Sequence, residues 1–170
     1  MSALHAAVLN AFKSRSWTYR EVSGLEVVES GFDAYHGRVL AHVQSFAAAH
    51  FVTVVANASE AVPAGHRNRA AELLMRVNKE LSLGAFEMDW DSGQVMFRQG
   101  NVFAELRYDE PVIAGLVHNA VGEMDRLTPF LGELCRTKKE MLPLLDVPAL
   151  LLREELLPPV PAQGESVAQS

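Results

Sequence analysis

What this chain has little of narrows its class first. A single cysteine, Cys135, in 170 residues excludes an intrachain disulfide framework and points to a reducing compartment. No window approaches the ~20 continuous apolar residues of a transmembrane helix, so no membrane partner is expected. The opening stretch lacks a basic start, and His5, Asn10 and Lys13 interrupt its apolar run. No secretory signal is therefore expected, and the expected location is cytoplasmic. Lys and Arg number 15 against 21 Asp and Glu, a net charge of −6. That balance lacks the basic footprint of nucleic-acid binding, but it suits solubility and protein partners with basic segments. Repeats, a Gly-rich phosphate loop, a Ser/His/Asp set and a His/Glu zinc pattern are all missing. No catalytic, cofactor-binding or metal-ligating residue is assigned, and no cofactor is expected.

What is present reads as one domain. Apolar residues make up 49% of the chain, enough for a sizeable core. Residues 2–15 carry Leu4, Ala7, Val8, Ala11 and Phe12 at helical spacing, with Ser2 as N-cap. From Trp17 the period changes, and strands are expected at 17–22, 25–28, 35–46 and 51–58. The last is Val-rich and apolar on both faces, which suits a central position. His36 and His42 are six apart, so a regular strand would point both to one face. With no third ligand or carboxylate at a zinc-like spacing, they read as sheet-face histidines. Cys135 has no local base and reads as a buried or idle thiol.

Residues 63–98 organise the rest. Pro63 suits a first helical turn, and Ala70, Leu73, Leu74, Val77 and Leu81 form one stripe over 63–82. Arg67, Arg69 and Arg76 form the solvated side. Asn78, at the margin of the stripe, is placed to bond a neighbouring backbone group. Gly84 suits the helix C-terminus. A hairpin follows, with Asp91 to Gln94 as its turn. If Ser92-Gly93 are the two central residues, Trp90 faces Val95, Met88 faces Phe97 and Glu87 faces Arg98. A calcium loop at Asp89-x-Asp91-x-Gly93 fails, because Gly93, Gln94 and Gly100 stand where other residues are required.

A further strand is expected at 102–108. Asp109-Glu110-Pro111 then opens a helix with Ile113, Leu116, Val117, Ala120, Met124 and Leu127 as its core stripe. Gly115 and Gly122 lie opposite that stripe. They are either tolerated surface glycines or the approach of a second helix or subunit. Thr128-Pro129 should kink or end the helix. The composition shifts after Lys139, giving a division into a domain, 1–136, and a Pro/Leu-rich extension, 137–170. Residues 148–157 suit a short apolar helix that docks on its own domain or on a partner. The last dozen residues read as disordered.

The middle of the chain resembles the YbjN domain family. The likeness rests on Val62-Pro63, Asn78, the run from Gly84 to Asp89 and the run from Ser92 to Arg98, within a span of about 17–134. It implies an α+β fold like that of type III secretion chaperones. That fold is a twisted antiparallel sheet covered by helices, in the order α-βββ-α-ββ-α. It also implies a small, acidic, non-enzymatic bacterial protein, often a homodimer, of a group described as sensory transduction regulators. The expected function is a protein-binding or chaperone-like module that takes its partner by strand addition or in an apolar groove. The alternative is a small-molecule sensor, its pocket between sheet and helices contacted by Trp17, Trp90 or Tyr35.

Overall fold

The computed structural model describes residues 1–158. It is α+β, with four helices and one open six-stranded sheet among the described residues. Helix α1 (Ala3–Ser14) is followed by strands β1 (Arg20–Glu21), β2 (Val27–Asp33), β3 (Arg38–Phe46) and β4 (Phe51–Asn57). Then come α2 (Arg67–Glu80), β5 (Ala85–Met88), β6 (Val95–Val102), α3 (Glu110–Arg136) and α4 (Val147–Leu151). The strand order is β1-β2-β3-β4-β6-β5, antiparallel throughout. Four strands precede α2, the first of only two residues, where the resemblance implies three.

Helices α1 and α3 start where side chains can satisfy their orphan donors. Ser2 accepts from the His5 N–H at 3.1 Å, and Asp109 accepts from the Val112 N–H at 3.0 Å. Val28, Val39, Val43, Val54 and Phe97 point from the sheet into the core that α1 and α3 cover. Leu4, Val8 and Phe12 of α1 and Ile113, Val117, Met124 and Leu134 of α3 meet them there. Burying each such side chain contributes about 1.5–3 kcal/mol, so the single-sided core carries most of the stability.

Several expectations change in the structure. Pro129 does not end α3, which runs unbroken to Arg136. The 102–108 strand is absent: β6 stops at Val102, and Leu106 takes a left-handed φ of 59°, which no strand tolerates. Helix α2 ends at Glu80, and Gly84 instead turns the chain into β5 with φ 73°. A side chain at Gly84 would meet the Phe97 ring.

The hairpin keeps its apolar face but shifts by two residues, pairing Met88 with Val95 and Glu87 with Met96. The cause is local. The Asp89 carboxylate accepts from the Asp91 N–H (3.0 Å), the Ser92 N–H (2.7 Å) and the Ser92 hydroxyl (2.8 Å). These bonds widen the loop and carry Trp90 off the sheet. Glu87 and Arg98 still meet at 3.1 Å, now as diagonal neighbours.

The segment after α3 belongs to the fold as far as it is described. Leu142, Val147 and Leu150 are buried, and α4 packs on α2. Arg69 is not merely solvated, because its guanidinium donates to the carbonyls of Leu142 and Pro143, each at 2.9 Å. His66 Nε2 donates to the Thr137 carbonyl at 2.7 Å. Arg67 likewise donates to the Trp90 carbonyl at 2.7 Å, so α2 ties down both the hairpin loop and the extension. The tail expected at the end of the chain lies outside the described residues.

Candidate functional site

Among the described residues, helices cover one face of the sheet and leave the other open. Alternation along β3 makes this plain: Val39, Ala41, Val43 and Ser45 are buried, whereas Arg38, Leu40 and Phe46 are exposed. The register sets Phe46, Phe51 and Val102 side by side at one end of the open face. Phe46 and Phe51 stack with ring centroids 5.7 Å apart, and Gly100 leaves room for the Phe51 ring to lie across β6. Leu40 is 56% exposed and Val102 70% exposed, both large for apolar sheet residues.

The centre of this face shields itself. Glu29, His42, Val55 and Arg98 form one row across β2, β3, β4 and β6, and Val55 is only 2% exposed beneath its longer neighbours. Burial holds the His42 imidazole below its ordinary range, with Glu29 opposing that shift and Arg98 adding to it. The charges flanking the row are paired within the face. Arg20 binds Glu29, Arg38 binds Asp33 at 3.1 Å, and Arg98 binds Glu87 at 3.1 Å. Three cations and three anions cancel, so the face is neutral on a chain of net charge −6.

The sheet edges offer less. At one end β1 contributes two residues. At the other, Asn78 occupies the edge of β5: its Oδ1 accepts from the Phe86 N–H at 2.7 Å and its Nδ2 donates to the Phe86 carbonyl at 2.9 Å. A side-chain amide there takes the place of a seventh strand. This fulfils the backbone role expected of Asn78.

Titratable groups cluster elsewhere, at positions remote in sequence. His36 does not share a face with His42. It precedes β3 and turns to the helical side, where it meets the buried Asp125 of α3. His5, also buried, has Nδ1 3.3 Å from Ser45 Oγ and Nε2 3.7 Å from the Glu21 carboxylate. That order of groups mimics a nucleophile, base and orienter. Yet Ser45 is itself buried, and 3.7 Å is too long for a hydrogen bond, so the set reads as a core histidine tied to its neighbours. Burial pushes the Cys135 thiol up, the Glu60 carboxylate adds to it, and the sulfur stays protonated. Among the described residues no group of three or more His, Cys, Asp or Glu is placed to hold a metal ion.

Trp17, Tyr35 and Trp90 do not converge. Trp17 packs edge-on against Phe12 and Phe32, whereas Tyr35 and Trp90 are exposed on separate loops. The structure instead forms a cavity of about 270 Å³ between α2, α3 and β5, lined in part by Val77, Phe86, Leu127 and Phe130. Nothing in sequence marked it, because its walls come from segments as far apart as Val77 and Leu157, whose apolar residues each look like ordinary core.

The fold and these surfaces define an α+β chain with a one-sided sheet and an unclaimed open face. No protein-family model matches the chain, and no curated protein matches it. No helix among the described residues is long and apolar enough to cross a membrane.

Proposed function

We propose that this chain is a non-enzymatic binding module that receives a polypeptide partner on the open face of its sheet. The observation that carries this reading is the contrast between face and edges. The two-residue β1 pairs part of β2 at one edge and Asn78 holds the Phe86 backbone of β5 at the other, whereas the face exposes Leu40, Phe46 and Val102 beside ion pairs that need no outside partner. Of the two modes expected from sequence, an apolar surface is favoured over strand addition. Membership of the YbjN family, a chaperone-like topology, a regulatory role and a cytoplasmic location belong to the same proposal, and they rest on the motifs at 62–98. Self-pairing as a homodimer is compatible with it, because a neutral face lets two copies of an acidic chain meet without net repulsion.

Val102→Glu and Leu40→Glu test the reading, with His118→Glu on the exposed back of α3 as control. The face variants should stay folded yet lose the retained polypeptide, and any dimer mass in sedimentation, while the control keeps both. A chain that retains no polypeptide, or whose retention the face variants leave unchanged, would overturn it.

A further inference from the structure

We propose that the cavity between α2, α3 and β5 binds an amphipathic aliphatic carboxylate, with its apolar body against Phe86 and Phe130 and its head on Arg126. This goes beyond the open-face reading and involves the opposite side of the sheet.

Size and lining set the body of the ligand. Val77 of α2 and Leu81 just after it, Phe86 of β5, and Leu127 and Phe130 of α3 give the cavity of about 270 Å³ an apolar floor. Leu151 and Leu157 close it from the C-terminal side. An apolar cavity of ~150 Å³ accommodates benzene, so nearly twice that volume takes a medium aliphatic chain. Phe86, Leu127 and Phe130 are already buried, so the floor exists without a ligand and needs no rearrangement to form.

Charge sets the head. Arg76, Glu80, Glu123 and Arg126 also line the cavity. Arg76 is committed to Glu72, with Nε at 3.0 Å and Nη2 at 2.9 Å. Arg126 has only the Glu123 carboxylate at 3.6 Å, and among the described residues its guanidinium makes no hydrogen bond. Glu80 already has Lys79 at 3.8 Å. Counting these groups with their ion-pair partners, the cations Arg76, Lys79 and Arg126 balance the anions Glu72, Glu80 and Glu123. In a lining whose other charges are already paired, the one guanidinium fork without a hydrogen bond among the described residues fits a single carboxylate.

Calorimetric titration of the full chain with sodium decanoate and, separately, with decan-1-ol tests this. Decanoate should bind saturably at one site. Arg126→Gln should weaken it about tenfold while changing decanol affinity less than about twofold. Val77→Phe should abolish both by filling the cavity. Leu157→Trp narrows the same space from the surface and serves if the first variant does not fold. Absence of saturable decanoate binding would overturn the proposal, as would affinity that neither Arg126→Gln nor the filling variant changes. Val102→Glu on the open face should leave decanoate binding intact, so this test and that of the open face fail separately.

Discussion

The imidazole of His36 replaces a hydrogen bond that Pro129 removes from α3. Proline has no N–H to give the carbonyl four residues back, which is that of Asp125. His36 Nδ1 lies 3.1 Å from that carbonyl oxygen and 3.3 Å from Asp125 Oδ2, and its main-chain N–H donates to Oδ1 at 2.7 Å. Two acceptors on Nδ1 place the proton there. The turn between β2 and β3 is thereby fastened to the middle of α3, and a proline inside a 27-residue helix leaves no buried polar group unpaired at Asp125.

That arrangement predicts a coupling. His36→Ala should cost about 1–3 kcal/mol in urea unfolding, because it strips partners from a carbonyl and a carboxylate that are both buried. In a Pro129→Ala background the Asp125 carbonyl regains its helical donor. The same substitution should then cost about 1 kcal/mol less. An equal cost in both backgrounds would show that the imidazole does not substitute for the missing helical bond.

Asn78 makes a second prediction. Its amide holds both backbone groups of Phe86, so Asn78→Ala leaves an N–H and a carbonyl at the edge of β5 without partners. A loss of about 1–3 kcal/mol is expected, together with concentration-dependent association as that edge opens. Asn78→Asp keeps the acceptor for the Phe86 N–H but turns a lone pair toward the Phe86 carbonyl. It should recover only part of the loss. Thermal melts at two concentrations, with light scattering, read both effects.

These two pairs also show where sequence reasoning reaches and where it stops. Short-range patterns carried the Val-rich β4, the Ser2 cap, the Asp109 start of α3 and the backbone role of Asn78, whose partner Phe86 is the farthest of these at eight residues. The hairpin register slipped by two because the Asp89 side chain builds its own turn, which apolar alternation cannot sense. An even slip preserves the faces, so the Glu87–Arg98 pair survived it. The His36–Asp125 link spans 89 residues and exists only once α3 lies across the sheet. The open face was equally hidden, because alternation says which residues are exposed but not whether a further helix returns to cover them.

His42 predicts the acid behaviour of the open face. Burial lowers its folded-state pKa below the ordinary histidine value of about 6.5, so the unfolded chain takes up a proton more readily. Stability contributed by neutral His42 is complete above the unfolded value. It falls as pH drops through that value and levels off below the folded one. His42→Gln removes this dependence. Between about pH 7.5 and about pH 5 the parent should therefore lose more stability in urea unfolding than the variant does. Equal losses would mean that the imidazole is as well solvated in the folded chain as in the unfolded one.

Glycines give a final prediction with opposite signs at different sites. Gly93 has φ 79°, and a Cβ there would run into the Val62 carbonyl, whose own N–H donates to the Gly93 carbonyl at 2.8 Å. Gly93→Ala therefore combines left-handed strain with displacement of the segment leading into α2, and should destabilise by about 2 kcal/mol or more. Gly115 and Gly122 sit in helical backbone on the exposed side of α3, where an added methyl would have no neighbour within 4 Å. Alanine at either position should stabilise by up to about 1 kcal/mol through helix propensity alone. If a second subunit used that bare stripe, the same alanines would lower the sedimenting mass while raising the stability of the separated chain. Chemical unfolding and sedimentation on the same samples separate the two effects, because propensity acts on each chain alone and contact acts only between chains.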